Sequence, residues 1–300
     1  MAILDRTIVR LLPAVPKPVV RRLSSRYIAG ATLEDAVRVV KGLNAQGKLA
    51  TVNVLGEEVS TAGEAAAMVD TYAEVFDAID RERLDSNVSV KATGLGLRLG
   101  VDLCRENLQP VIQHAAERGN AVRVEMEDAT TTDDILALYR GLRADGFDNV
   151  GIVLQASLRR TLRDVRELAD LRPSVRLCKG IYIEPPAIQF RDFEQVRASF
   201  VQALDRLLEQ GAYAAIATHD EWLIEQALER VQGLAPQAYE FQMLLGVRPD
   251  LGNRLVRDGH RLRIYVPFGQ QWYEYSLRRL QENPKIAGYI ASDTLTHFLR

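Results

Sequence analysis

VRLCKGIYIEPPAIQFRDFEQVRASFVQALDRLLEQGAYAAIA, residues 175–217, carries two short apolar runs, Val175–Ile181 and Ala214–Ala217, on either side of Val196–Leu208. That middle segment has helical period and stops at Gly211, a usual helix terminator. Strand, helix and strand in this order make a crossover unit. Working outward, the same alternation continues through runs at Leu49–Leu55, Val88–Ala92, Ala121–Met126, Val150–Gln155, Tyr239–Leu245 and Leu262–Val266. Helical segments such as Ala62–Ile79 lie between most of them, and Gly119 and Gly146 close others. Eight strands with seven helical crossovers in about 250 residues predict an α/β fold, a (β/α)8 barrel of the TIM type. A doubly wound sheet is the alternative; Gly94, Gly96 and Gly100 have the wrong spacing for its dinucleotide fingerprint.

Composition bounds the function. The chain has 300 residues, 47% of them hydrophobic, and a formal net charge of -2, so neither nucleic acid nor an anionic membrane is expected as the main partner. Two cysteines, Cys104 and Cys178, make no disulfide framework and fit a cytoplasmic protein. Cys178 reads as a small core residue. His114, His219, His260 and His297 are scattered without metal-ligand spacing, so no metal is expected. Residues 1–30 read as an N-terminal arm, broken by Pro13, Pro16 and Pro18, and 285–300 as a C-terminal tail around a barrel domain over 31–284. Thr32 is the expected N-cap of a helix with Leu33, Ala36, Val37, Val40 and Leu43 on one face.

In such barrels chemistry gathers at the C-terminal strand ends. Those ends carry Glu57, Lys91, Glu125 with Glu127, Gln155, Arg176 with Lys179, His219 with Asp220, Gln242 and Tyr265. Each alone suits a rim charge or a polar filling layer; together, beside apolar strands, they indicate a site. The segment WYEYSLRRLQENP, residues 272–284, follows the last strand closely and so begins at the same rim. At 100° per residue Tyr273, Leu277 and Leu280 form one stripe, and Tyr275, Arg278, Arg279 and Glu282 the opposite one. A solvated face explains the polar stripe in isolation. Its place at the rim favours a carboxylate clamp made by paired guanidiniums.

Nine blocks in order now mark the chain as similar to the flavin-dependent proline dehydrogenases: VLGEE (54–58), SVKATGLG (89–96), VRVEMED (122–128), GIVLQASLRRT (151–161), VRLCKGIY (175–182), ATHD (217–220), YEFQMLLG (239–246), RIYVPFG (263–269) and YEYSLRRLQE (273–282). The resemblance implies a distorted barrel holding FAD non-covalently, with the last helix across the mouth. It implies that Arg278, Arg279 and Lys91 hold the carboxylate of L-proline and that Glu57 pairs with Arg278 on closure. Tyr265, Tyr275 and Leu244 would wall the substrate ring, with Glu282 steadying the arginine helix. Gln155, Arg176, Lys179, Gly180, Thr218 and His219 match flavin contacts, Arg176 near N5. The implied reaction passes a hydride from proline C5 to the flavin, gives Δ1-pyrroline-5-carboxylate, and sends electrons to a quinone, with transient contact to a membrane surface. With the chain stopping at Arg300, a monofunctional enzyme is expected.

This sequence departs from the family pattern at three positions: Glu125 replaces Asp, Ser157 replaces Tyr and Ile181 replaces Ala. Added bulk at Ile181 should narrow the pocket against hydroxyproline. Two competing readings stand beside the oxidoreductase. One is an aldolase forming a Schiff base on Lys91 or Lys179; the other is a non-catalytic carboxylate-binding barrel.

Overall fold

The computed structural model describes residues 26–56, 59–273, 275 and 276. Eight strands follow in order: β1 (Leu49–Val54), β2 (Ser86–Val90), β3 (Val122–Val124), β4 (Val150–Gln155), β5 (Ser174–Cys178), β6 (Tyr213–Ala217), β7 (Tyr239–Leu244) and β8 (Leu262–Phe268). Each pairs in parallel with the next, and β8 pairs with β1, closing the barrel. All eight expected strands are present. Their ends differ by a few residues, most at β5, which stops at Cys178 rather than Ile181; β3 is shorter than Ala121–Met126, and β8 runs past Val266 to Phe268.

The helices are α1 (Leu33–Asn44), α2 (Ala62–Arg81), α3 (Val101–Glu117), α4 (Thr132–Ala144), α5 (Thr161–Glu167), α6 (Phe193–Glu209), α7 (Glu221–Val231) and α8 (Pro249–Arg257). Thr32 caps α1 as expected: its hydroxyl accepts from the Asp35 N–H, and the Asp35 carboxylate accepts from the Thr32 N–H. Ala36, Val40 and Leu43 then bury one face. Gly119, Gly146 and Gly211 follow α3, α4 and α6 with φ of +62°, +92° and +68°, a left-handed turn that side chains resist.

Helices α2 to α8 make the seven crossovers, whereas α1 precedes β1 and packs on β8 and β1. It therefore fills the slot that a helix after β8 would cover, and the chain beyond Phe268 is free to turn back at the mouth. Residues 272, 273, 275 and 276 are already helical. The described part of the arm runs beside them: the Ala29 N–H donates to Pro267 O at 2.9 Å and the Gly269 N–H to Gly30 O at 3.1 Å. Ile28, Leu55 and Tyr275 bury one another there.

Strand side chains alternate sharply. Val52, Val88, Val122, Ile152, Leu177, Ile216, Phe241 and Ile264 join Tyr72, Phe76, Tyr139 and Phe200 in the apolar layer between sheet and helices. Each large side chain fully buried there contributes about 1.5–3 kcal/mol. The alternate positions are polar and buried: Asn53, Ser89, Arg123, Arg176, Glu240 and Gln242. Arg123 is held by carbonyls, its Nη1 donating to Ile152 O at 3.0 Å and Ser174 O at 2.5 Å. Burial, with the neighbouring Arg176 charge, pulls its pKa down to about 10.

Gly151 makes room for that guanidinium. A Cβ there would lie 2.5 Å from Arg123 Nη1 and 2.9 Å from Ser174 O. Gly151→Ala is expected to cost about 1–3 kcal/mol through overpacking, measured by urea denaturation. Unchanged stability would mean that Arg123 relaxes freely.

Candidate active site

A cavity of about 540 Å³ opens at the C-terminal ends of the strands. Apart from Glu127 and Asp220, the sequence-predicted site residues within the described chain line it. Lys91, Glu125 and Gln155 reach it from the β2, β3 and β4 ends, and Arg176, Lys179, Gly180 and Ile181 from β5. Thr218 and His219 follow β6, Leu244 ends β7, Tyr265 comes from β8, and Tyr275 from the first turn of the final helix. Glu57, Arg278, Arg279 and Glu282 lie outside the described residues.

Arg176 stands at the centre. Its Nη1 donates to Glu125 Oε1 at 2.6 Å and Ser89 Oγ at 3.1 Å, and its Nε to Gln242 Oε1 at 2.5 Å. Burial works against the charge, but the Glu125 carboxylate, with Tyr265 and Cys178, holds the Arg176 pKa above its ordinary value. Nη2 is buried with no hydrogen-bond partner among the described residues. The guanidinium also lies 5.3 Å from the Tyr265 ring centroid. So the longer Glu125 does reach the site, where it braces Arg176.

Below this layer, Gln242 Nε2 donates to Glu240 Oε1 at 2.6 Å, and Arg263 Nε donates to the same oxygen at 2.7 Å. Burial pushes the Glu240 pKa up, but Arg263 and the hydrogen bonds from Gln242 and Tyr213 together keep the carboxyl below the usual range. Around the interior Lys91, Arg123, Arg176 and Arg263 face Glu125 and Glu240, a positive balance that favours an anion.

The β5 end is fixed from two sides. Asp220 holds Lys179 at 3.3 Å and Arg197 at 2.7 Å, and these cations, opposing burial, lower its pKa. Gly180 has φ +98°, and a Cβ on it would sit 2.4 Å from Ser157 Oγ and 2.9 Å from Gln155 Oε1. Only glycine fits that crossing of the two loops. Gln155 Nε2 donates to Glu127 O at 2.8 Å, which sets its amide. Ser157 is buried beneath the lining, and its Oγ accepts from Gln189 at 3.1 Å. After β6, His219 Nε2 accepts from the Leu244 N–H at 2.9 Å, so the neutral ring carries its proton on Nδ1.

Two readings change. Glu127 is a structural pin: it is buried and accepts from Thr93 N at 3.0 Å and Thr93 Oγ1 at 2.5 Å. Cys178 faces the cavity rather than the apolar core alone, with burial, then Glu125, pushing its thiol up to about 11, far from a reactive thiolate. Glu240, Arg263 and Arg123 escaped the strand-end reading because they sit deeper in the barrel. Polar residues two apart in apolar β7, as Glu240 and Gln242, were the available signal.

Residues 36–291 match the family model described as proline dehydrogenase. The chain is 36% identical over 273 residues to proline dehydrogenase 1 of Bacillus subtilis strain 168, covering 90% of both chains. It is 34% identical over 279 residues to a Deinococcus radiodurans proline dehydrogenase, covering 91% of this chain and 90% of that one. Among solved structures, proline utilization A from Bdellovibrio bacteriovorus, inactivated by N-propargylglycine, superposes with a TM-score of 0.81 at 23% identity. That match covers 91% of this chain but 36% of the larger protein, and shows the shared fold. The sequence matches, spanning nearly the whole barrel, make this chain a member of the proline dehydrogenase family.

Proposed function

We propose that this protein oxidises L-proline to Δ1-pyrroline-5-carboxylate with non-covalently held FAD, and that a quinone takes the electrons. The observation that carries this reading is Arg176, which lines a net-positive cavity and keeps a buried donor, Nη2, without a partner among the described residues, in a member of this family. Leaving such a donor unsatisfied costs about 1–3 kcal/mol, so a site tolerates it where a ligand supplies the acceptor. The surroundings fit a flavin: Arg176, Lys179, Thr218 and the Nδ1–H of His219 offer donors, beside an apolar wall of Val153, Ala217 and Met243. When bound, FAD supplies the acceptor for the hydride that leaves proline C5.

The chain's own groups do the rest. Lys91 puts a positive charge at the β2 end for the substrate carboxylate, and Arg278 and Arg279 are assigned to the same task from the final helix. Tyr265, Tyr275 and Leu244 wall the ring and exclude water. Glu57 is assigned as the gate and Glu282 as the support of the arginine helix. Ile183 is 83% exposed and Phe193 51% exposed beside the opening, which supports an apolar electron acceptor and transient membrane contact. No described helix is long and apolar enough to cross a membrane.

The competing readings are less well supported. Lys179 is engaged in an ion pair with Asp220 at 3.3 Å rather than presented to a substrate carbonyl. Among the described residues no cluster of His, Cys, Asp or Glu could hold a metal ion.

Purified protein is expected to be yellow, and anaerobic L-proline is expected to bleach its flavin bands. A colourless protein, or a spectrum indifferent to proline, would sink the reading. Lys91→Met removes one charge-assisted hydrogen bond of about 1.5–3 kcal/mol and should raise the KM for proline roughly ten- to a hundredfold. Steady-state kinetics at unchanged flavin content measures it. Because Ile181 lines the cavity while Ser157 is buried away from it, trans-4-hydroxy-L-proline should be a poor substrate and Ile181→Ala should improve it. Comparable kcat/KM on both substrates in the unaltered protein would contradict this.

A further inference from the structure

We infer that Glu240 is a positioning residue, which aims Arg176 into the cavity through Gln242. This goes beyond the reading above and rests on it. Four side chains from three strands form a row inside the barrel: Arg263 on β8, Glu240 and Gln242 on neighbouring β7, and, beyond β6, Arg176 on β5. The row is anchored at the β1 edge, where Arg263 Nη1 donates to Ala50 O at 2.6 Å. Glu240 is 1% exposed and does not itself line the cavity, which it reaches only through Gln242.

The chemistry of the row permits one arrangement. Arg176 Nε can only donate, and the ionised Glu240 can only accept. Gln242 between them must turn its oxygen to Arg176 and its nitrogen to Glu240, as the 2.5 Å and 2.6 Å distances show. Without an acceptor at Glu240, only the Arg176 Nε–H is left to orient the amide, whose NH2 loses its own partner. A guanidinium is planar, so fixing Nε through Gln242 and Nη1 through Glu125 and Ser89 leaves Nη2 a single direction. That direction carries the unpartnered donor of the site.

Gln242 and Arg263 bond the same atom, Oε1, while Tyr213 is a further hydrogen-bonding neighbour of the carboxylate. Glu240→Gln therefore keeps both hydrogen bonds through its carbonyl oxygen and removes only a negative charge. Glu240→Leu combined with Arg263→Met removes the ion pair without leaving a lone buried charge, and takes away the anchor of Gln242.

The test is the midpoint potential of the bound flavin, read by anaerobic spectroelectrochemistry on wild type and both variants. Glu240→Gln should shift it to more positive values, because loss of a nearby negative charge favours the electron-rich form. The double variant, with net charge conserved but Arg176 released, should shift it to more negative values. Equal potentials in all three proteins, or shifts of the same sign in both variants, overturn the inference. Should Glu240→Gln fail to fold, the double variant decides alone. Wild type that purifies without flavin sinks the functional reading itself, an outcome distinct from unmoved potentials in a flavin-bearing protein.

Discussion

The ion pair between Arg176 and Glu125 is the constraint around which the barrel interior is arranged. Its side chains are 7% and 13% exposed, and its N–O separation is 2.6 Å. Removing one partner of such a pair typically costs about 3–5 kcal/mol, since the other charge is stranded. The surrounding wall is therefore polar: Ser89 and Gln242 complete the guanidinium, while Glu240 and Arg263 neutralise each other one layer down. An apolar interior would be simpler to pack but would offer nothing to an anionic ligand. Stability is moved instead to the layer between strands and helices, where the large side chains sit.

The order of the elements makes that interior accessible. Because α1 covers β8 and β1, no helix following β8 is needed to close the outer ring. The chain can then place Tyr275 on the cavity wall after leaving Phe268. Residues 28–30 brace this departure through the hydrogen bonds to Pro267 and Gly269 and through the small cluster of Ile28, Leu55 and Tyr275. Crossovers on the opposite side of the mouth are stitched differently. There Gly180 lets the loops after β4 and β5 cross in contact, and Asp220 joins Lys179 to Arg197.

Period and spacing alone carried the architecture. Apolar runs separated by helical segments are local patterns, so the eight strands, the Thr32 cap and the glycine stops at Gly119, Gly146 and Gly211 could be read without coordinates. Strand ends in a closed parallel barrel share one rim, so Lys91, Glu125, Gln155, Arg176 and His219 could be assigned to one site before their distances were known. What the linear chain could not decide was partnership. Whether Glu127 faces a ligand or Thr93, whether Ser157 lines the pocket or lies beneath it, and which oxygen braces Arg176 depend on side chains 32 to 51 residues apart meeting in a dry interior. There, hydrogen-bond geometry and local charge set each role, and those quantities exist only once the barrel has closed.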